Sequence, residues 1–180
     1  MPRRATPWDD WTVEIRRALP ADFAALSELT VSAYEALFDE PLGDYEHELR
    51  DVAGRAADSV VLVAIGDRGT VLGGVTYVPG AERAMSEFDD VDAAGIRMLA
   101  VDPRHQGEGV GRALVQECMR LARDEGRARI VLHSTTYMTV AQGLYKSLGF
   151  DRTPDRDVSI TEEPYDDDEP LLLVAYVLVL

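Results

Sequence analysis

The chain has 180 residues, enough for one domain with a sizeable core, and it carries 33 acidic against 18 basic side chains, a formal net charge of −15. That balance argues against a nucleic-acid partner, because such binding is driven by neutralising phosphates. The single cysteine, Cys118, excludes an internal disulfide and a thiolate cluster for zinc, so no metal is expected.

Residues 1–11 read as an N-terminal extension ahead of one domain at 12–180. "MPRRATPWDDW" has arginines but no apolar segment after them, unlike a secretory signal. Val13 and Ile15 alternate with Glu14 and Arg16 and predict a first strand. Pro20, Ala21 and Asp22 then open a helix that runs to about Tyr34, with Asp22 placed to cap it. Leu49, Val52 and Ala53 recur at helical spacing and predict a second helix from Tyr45 to about Ala56. "SVVLVAIGDRGTVLGGVTYVP" is two β-branched runs around Gly66 to Thr70, the pattern of an antiparallel hairpin. Residues 80–92 are acidic and read as a loop; "AGIRMLAV" follows as a fourth strand, stopped by Pro103.

From Gly111 to Gly126, residues Leu114, Val115, Cys118, Leu121 and Ala122 form one apolar helical face, which makes Cys118 a core thiol. "ARIVLHST" predicts a fifth strand and "TVAQGLYKSLGF" a helix closed by Gly149. A strand over Asp151 to Ile160, an acidic loop over 161–170 and a last strand ending at Leu180 complete the order. That final apolar run, "LLLVAYVLVL", is about half of the roughly 20 residues a membrane-spanning helix needs, so a cytoplasmic protein away from membranes is expected. The pattern implies an α+β fold: a mixed, mostly antiparallel sheet of about seven strands with helices on both faces.

The stretch "VDPRHQGEGVGRAL" places glycines at 107, 109 and 111 where a helix begins. A dinucleotide fingerprint fails in both registers, because Arg112 or Leu114 stands where a small residue is required. A Walker A loop fails because Arg112 and Ala113 follow Gly111. What survives is general: a glycine turn at a helix start points main-chain N–H groups at an anion. Gln106-Gly107-Glu108-Gly109-Val110-Gly111 after "LAVDP" resembles the signature motif of the GNAT superfamily of N-acetyltransferases. "LPAD", "IRMLAV" and "LYKSLGF" resemble, in order, the opening of that family's first helix, its bulged fourth strand and its late tyrosine-bearing helix.

The resemblance implies a sheet splayed between the fourth and fifth strands, with acetyl-CoA as co-substrate. Its pyrophosphate would lie on the backbone of Gln106, Gly107, Glu108, Gly109, Val110, Gly111 and Arg112. Its pantetheine arm would pair along Leu99, Ala100 and Val101, beside a bulge whose N–H stabilises the oxyanion. Tyr145 would give the departing thiolate its proton, although Ala141, Tyr145 and Leu148 also share a helical face suited to a core aromatic. Met138 stands where many relatives carry Asn, so that contact to the arm is missing or comes from Thr139 or Ser134. The base stays open among Glu87, Asp89, Asp90, Asp92 and His133.

The implied activity is acetyl transfer to an amine of a small molecule or peptide by direct attack in a ternary complex; the alternative is a non-catalytic acyl-CoA-binding regulatory module. Tyr145 favours the enzyme. Acidic residues at Glu87 to Asp92 and in "TEEPYDDDEP" suggest a cationic acceptor. A homodimer is among the assemblies open to the chain.

Overall fold

The computed structural model describes residues 13–38, 41–161 and 170–180; the N-terminal extension and Asp166 to Asp168 of the acidic loop lie outside them. The elements in chain order are β1 (Glu14–Arg17), α1 (Phe23–Glu35), α2 (Tyr45–Arg50), α3 (Val52–Asp58), β2 (Val60–Ile65), β3 (Val71–Val78), β4 (Ala93–Val101), α4 (Val110–Asp124), β5 (Arg129–Thr135), α5 (Thr139–Ser147), β6 (Asp151–Arg152), β7 (Val158–Ile160) and β8 (Leu171–Val179).

The unbroken apolar run of β2 serves two cores. Leu62 and Ala64 join the face covered by α4, while Val61, Val63 and Ile65 join the face covered by α1 and α3. A strand buried on both sides has no polar alternation. The sheet order is β1-β2-β3-β4-β5-β8, with β6 and β7 both on the outer edge of β8. Every pairing is antiparallel except β4 with β5, which gives the expected mixed α+β architecture. Leu114, Val115, Cys118 and Ala122 of α4 are buried against this sheet, and burial pushes the Cys118 thiol well up, as befits a core residue.

Three local expectations are corrected. The strand over Asp151 to Ile160 is two short strands separated by a 3-10 turn at Pro154–Arg156. Proline cannot donate to a ladder, and the Asp157 carboxylate accepts the Ala175 N–H of β8 at 2.9 Å instead. The helix expected over Tyr45 to Ala56 is two helices, α2 and α3. Asp51 leaves helical geometry at ψ 64° and its carboxylate accepts the Gly54 N–H at 2.8 Å, so a side-chain cap replaces one helical turn. Asp22, expected to cap forward, reaches back: it accepts the Leu19 N–H at 2.7 Å and pairs with Arg16, which keeps its carboxyl below the usual range.

Asp51→Ala is expected to cost about 1 kcal/mol through loss of the cap, read in urea denaturation as a lower midpoint with unchanged slope. An unchanged midpoint would show that the α2–α3 break is held by packing alone.

Candidate active site

The sheet is broken open by one bulge. Gly74 pairs with Ala100 and Thr76 with Arg97, so Met98 and Leu99 together oppose Val75, and Met98 adopts a left-handed φ of 53°. The bulge thus lies at Met98 and Leu99, beside the segment Leu99 to Val101. An extra residue reverses which side chains face which side. Before it, Ala94 and Ile96 face the α4 core; after it, Met98 and Ala100 face α1 and α2, while Leu99 and Val101 turn toward α4.

Parallel pairing of β4 with β5 ends at Ile96 and Leu132. Beyond that point His133, Ser134 and Thr135 pair only with β8, and Arg97 to Val101 lose their β5 neighbour. The two strands therefore diverge, and each presents a free main-chain edge to the gap.

Val101 leads directly into the glycine loop. The Asp102 carboxylate accepts the Arg104 N–H at 2.9 Å and pairs with the Arg104 guanidinium, shaping the 3-10 turn Pro103–His105. Gly107 and Gly109 follow at φ 81° and 88°, with open space where a Cβ would stand. The requirement for glycine there is conformational, and the open space suits a ligand. Gly111 differs: it lies inside α4, where a Cβ would meet Leu144 and Val101 at 3.4 and 3.5 Å, ordinary contact distances. The first bond closing α4 runs from Ala113 N–H to the Gly109 carbonyl at 3.0 Å, which leaves the N–H groups of Val110, Gly111 and Arg112 ahead of the helical ladder. Around them, Arg112 donates to the Ser147 hydroxyl at 2.7 Å, Glu108 sits 2.8 Å from His105, and Gln106 reaches the Val101 carbonyl at 3.5 Å.

Gly149, at φ 92°, ends α5 and lets the Phe150 N–H bond the Tyr145 carbonyl at 3.0 Å. Tyr145 is 5% exposed, between the rings of Phe150 and Tyr176. Burial pushes its phenol well up, so it is protonated at neutral pH, and among the described residues its hydroxyl has no hydrogen-bond partner. Across the split, the Tyr34 hydroxyl is raised by burial first and also by the neighbouring Tyr45 and Tyr145. Tyr145 thus packs as a core aromatic of the α4 side of the sheet.

On the α1–α2 side the gap opens into a cleft of about 450 Å³. Aromatic Tyr34, Phe38 and Tyr45 line it, with Asp44, Glu48 and Glu87, the bulged Met98, and Ser134, Thr135 and Met138 from the β5 side. The Thr135 hydroxyl is buried without a partner among the described residues. Arg97 ion-pairs with Glu87 at 2.8 Å and approaches Glu48 at 3.9 Å. Burial raises Tyr45 to about 12. His133 holds Glu87 from the other side, Nδ1 to Oε2 at 3.5 Å, and its Nε2 lies 3.0 Å from the Arg156 carbonyl. Burial alone would lower the His133 pKa, but the Glu87 carboxylate and the Arg156 carbonyl outweigh it and raise it above 6.5. Burial likewise opposes ionisation of Glu87, and His133 with Arg97 outweighs it and lowers that carboxyl.

Of Glu87, Asp89, Asp90 and Asp92, Glu87 lines the cleft; Asp90 is engaged by Arg129 and Arg156. Tyr34, Tyr45, Asp44, Glu48 and Arg97 were not singled out in the sequence. The one signal was Arg97, a charge inside an otherwise apolar strand.

Residues 23–150 match the Acetyltransferase (GNAT) family. The chain belongs to that family. Aminoglycoside N(6')-acetyltransferase type 1 of Stenotrophomonas maltophilia is 29% identical over 145 residues, covering 77% of this chain and 86% of that protein. Human N-acetyltransferase 8B is 44% identical over 55 residues, 31% of this chain and only 24% of that relative's own length. Among solved structures, ribosomal-protein-alanine N-acetyltransferase of Brucella melitensis shares the fold at a TM-score of 0.67 and 24% identity, covering 93% of this chain and 99% of that one. The yncA structure of Salmonella typhimurium, solved with its cofactor acetyl-CoA, has a TM-score of 0.65 at 25% identity, covering 93% and 94%. The strand divergence, the glycine loop and the helix-borne Tyr145 occur together in this chain. Among the described residues no helix is long and apolar enough to cross a membrane, and no His, Cys, Asp and Glu group could hold a metal ion.

Because the folded His133 pKa lies above its unfolded value, the His133–Glu87 interaction stabilises fully below about pH 6.5 and is lost as pH rises through the folded value. NMR of the imidazole is expected to show a midpoint above 6.5 that falls in Glu87→Gln. The stability difference between wild type and Glu87→Gln is expected to shrink between about pH 6 and pH 9. A midpoint insensitive to Glu87→Gln would break the pair.

Proposed function

We propose that this GNAT protein transfers the acetyl group of acetyl-CoA to an amine by direct attack in a ternary complex. The observation that carries the reading is the end of β4–β5 pairing at Ile96–Leu132, beside a glycine loop and next to a cleft with room for a second substrate. In this reading the pyrophosphate lies on the main chain of Gln106 to Arg112. The pantetheine amides pair with the free edge of β4 at Leu99, Ala100 and Val101. Met138 has no polar group to offer the arm, and the partnerless Thr135 hydroxyl supplies the contact in place of Ser134 or Thr139.

Acetyl transfer needs a free amine, a stabilised oxyanion and a proton for the leaving thiolate. A main-chain N–H at the Met98 bulge serves the oxyanion. Tyr145 serves the thiolate, since its burial keeps the phenol protonated and its hydroxyl is uncommitted. The acceptor is a cationic amine of a small molecule or peptide: Asp44, Glu48 and Glu87 attract it, and the faces of Tyr34, Phe38 and Tyr45 stabilise a bound cation by about 0.5–2 kcal/mol each. The similarity to an aminoglycoside acetyltransferase supports that class.

Thiol release from acetyl-CoA on a panel of cationic and neutral amines tests the reading, with the cationic members expected to be better substrates. Gly109→Val is expected to abolish coenzyme A binding in calorimetry while leaving the circular dichroism spectrum unchanged, because valine resists a φ of 88°. Undiminished affinity would remove the loop from the site. Tyr145→Phe is expected to lower kcat by about 10² to 10⁴ with little change in the KM for acetyl-CoA. A wild-type rate in the Phe variant would reduce Tyr145 to packing.

A further inference from the structure

Glu87 and His133 line the acceptor cleft and also an outer cavity of about 370 Å³ on the far side of the pair, where Asp89 and Arg156 stand. The pair is therefore the wall between the cleft and a second opening to solvent.

The hydrogen bonds define the ring's chemistry. The Arg156 carbonyl can only accept, so Nε2 carries a hydrogen and donates it across 3.0 Å. In the neutral ring this leaves the lone pair on Nδ1, the nitrogen that faces Glu87. Once Nδ1 is protonated, both ring N–H groups meet oxygen acceptors, so the imidazolium is the better-satisfied form. Glu87 itself is a weak base, since Arg97 binds it at 2.8 Å. Asp90 is held by Arg129 and Arg156, and Asp89 lines only the outer cavity.

We propose that His133 Nδ1 is the general base that takes a proton from the acceptor ammonium across Glu87, and that the outer cavity returns this proton to water. The inference rests on the acetyl transfer proposed above. An N–H bond of the ammonium breaks, leaving the lone pair on the amine; the proton bonds to a Glu87 carboxylate oxygen, and that O–H bond breaks as a hydrogen–Nδ1 bond forms. The lone pair attacks the thioester carbonyl and the C–S bond breaks. The thiolate takes the Tyr145 proton, and the remaining excess proton on nitrogen restores Tyr145. One proton reaches solvent for each acetyl group transferred. The charges facing His133 are Glu87 on the loop before β4, Arg97 of β4 behind it, Arg156 and Asp157 on the turn after β6, Asp89 across the outer cavity, and Glu48 of α2 across the cleft. Their sum favours the imidazolium, which gives a base matched to neutral pH.

The test measures kcat/KM against pH for wild type, His133→Gln and Glu87→Gln, using the best amine of the panel, with coenzyme A affinity followed by calorimetry. The expected wild-type profile has an acidic limb above 6.5 whose position does not follow the basicity of the amine. His133→Gln is expected to lose that limb and about 10² to 10⁴ in kcat while binding coenzyme A normally. Glu87→Gln is expected to lower kcat, because an amide cannot carry the proton, and to move the residual limb to lower pH, a shift that a merely structural role would not produce. Added imidazole is expected to restore part of the rate to His133→Gly. A His133→Gln variant that keeps the wild-type limb and rate overturns the assignment and leaves the acetyl-transfer reading intact. Wild type that binds coenzyme A and acetylates no amine overturns both.

Discussion

Four residue pairs, Ala93 to Ile96 against Arg129 to Leu132, form the strand pairing that joins the two halves of the sheet, and the site depends on where they stop. On one side β4 is held by β3; on the other β5 is held along its whole length by β8. Each strand keeps its own partner, so the two can part without unravelling. The bulge at Met98 adds local twist and one extra residue to β4, which re-aims everything from Leu99 onward. Unpaired main-chain groups are costly when they are shut away from water or a partner. Two free edges facing a gap are therefore stable only if the gap stays open to solvent or receives a strand-like ligand.

The same bulge sets the chemistry on either face. Val101 and Gly111 come together on the α4 side, so the end of β4 delivers the chain straight into the glycine loop and the start of a 15-residue helix. On the opposite face Met98 and Arg97 meet α1 and α2, and the cleft forms between those helices and the end of β5. The glycine-loop end of α4 and the cleft on the opposite face are thus two consequences of one irregularity in one strand.

Charge at the cleft is held by compensation. Glu87 lies between Arg97 and His133, and removal of either cation would leave a half-buried carboxylate poorly matched. Arg55 behaves differently. It is 3% exposed and held by the Thr76 hydroxyl and the Leu49 carbonyl, with its Nε unpartnered among the described residues, and burial lowers its pKa. By reaching the last turn of α2 from α3, it braces the wall that carries Tyr45 and Glu48, so the break at Asp51 does not loosen the cleft.

Periodicity made most of the framework legible. The β2–β3 hairpin, the α4 face and the closure of α5 at Gly149 depend on neighbours in the chain, and so does the left-handed glycine pair at 107 and 109. Where one carboxylate competes with main-chain bonding, periodicity misleads: Asp51 divides a helix, and Asp157 takes a ladder position that β6 and β7 leave empty. The cleft was legible only in fragments, because Tyr34, Tyr45, Glu87, Arg97 and His133 come from five separate places in the chain and no spacing links them. The sequence by itself determined the elements, the glycine turn and the helix-borne tyrosine, since those follow from backbone freedom and local hydrophobic spacing. Only the tertiary structure decided the side of the bulge, the point where β4 and β5 part, and the pairing of His133 with Glu87, because each depends on the register between strands that are distant along the chain.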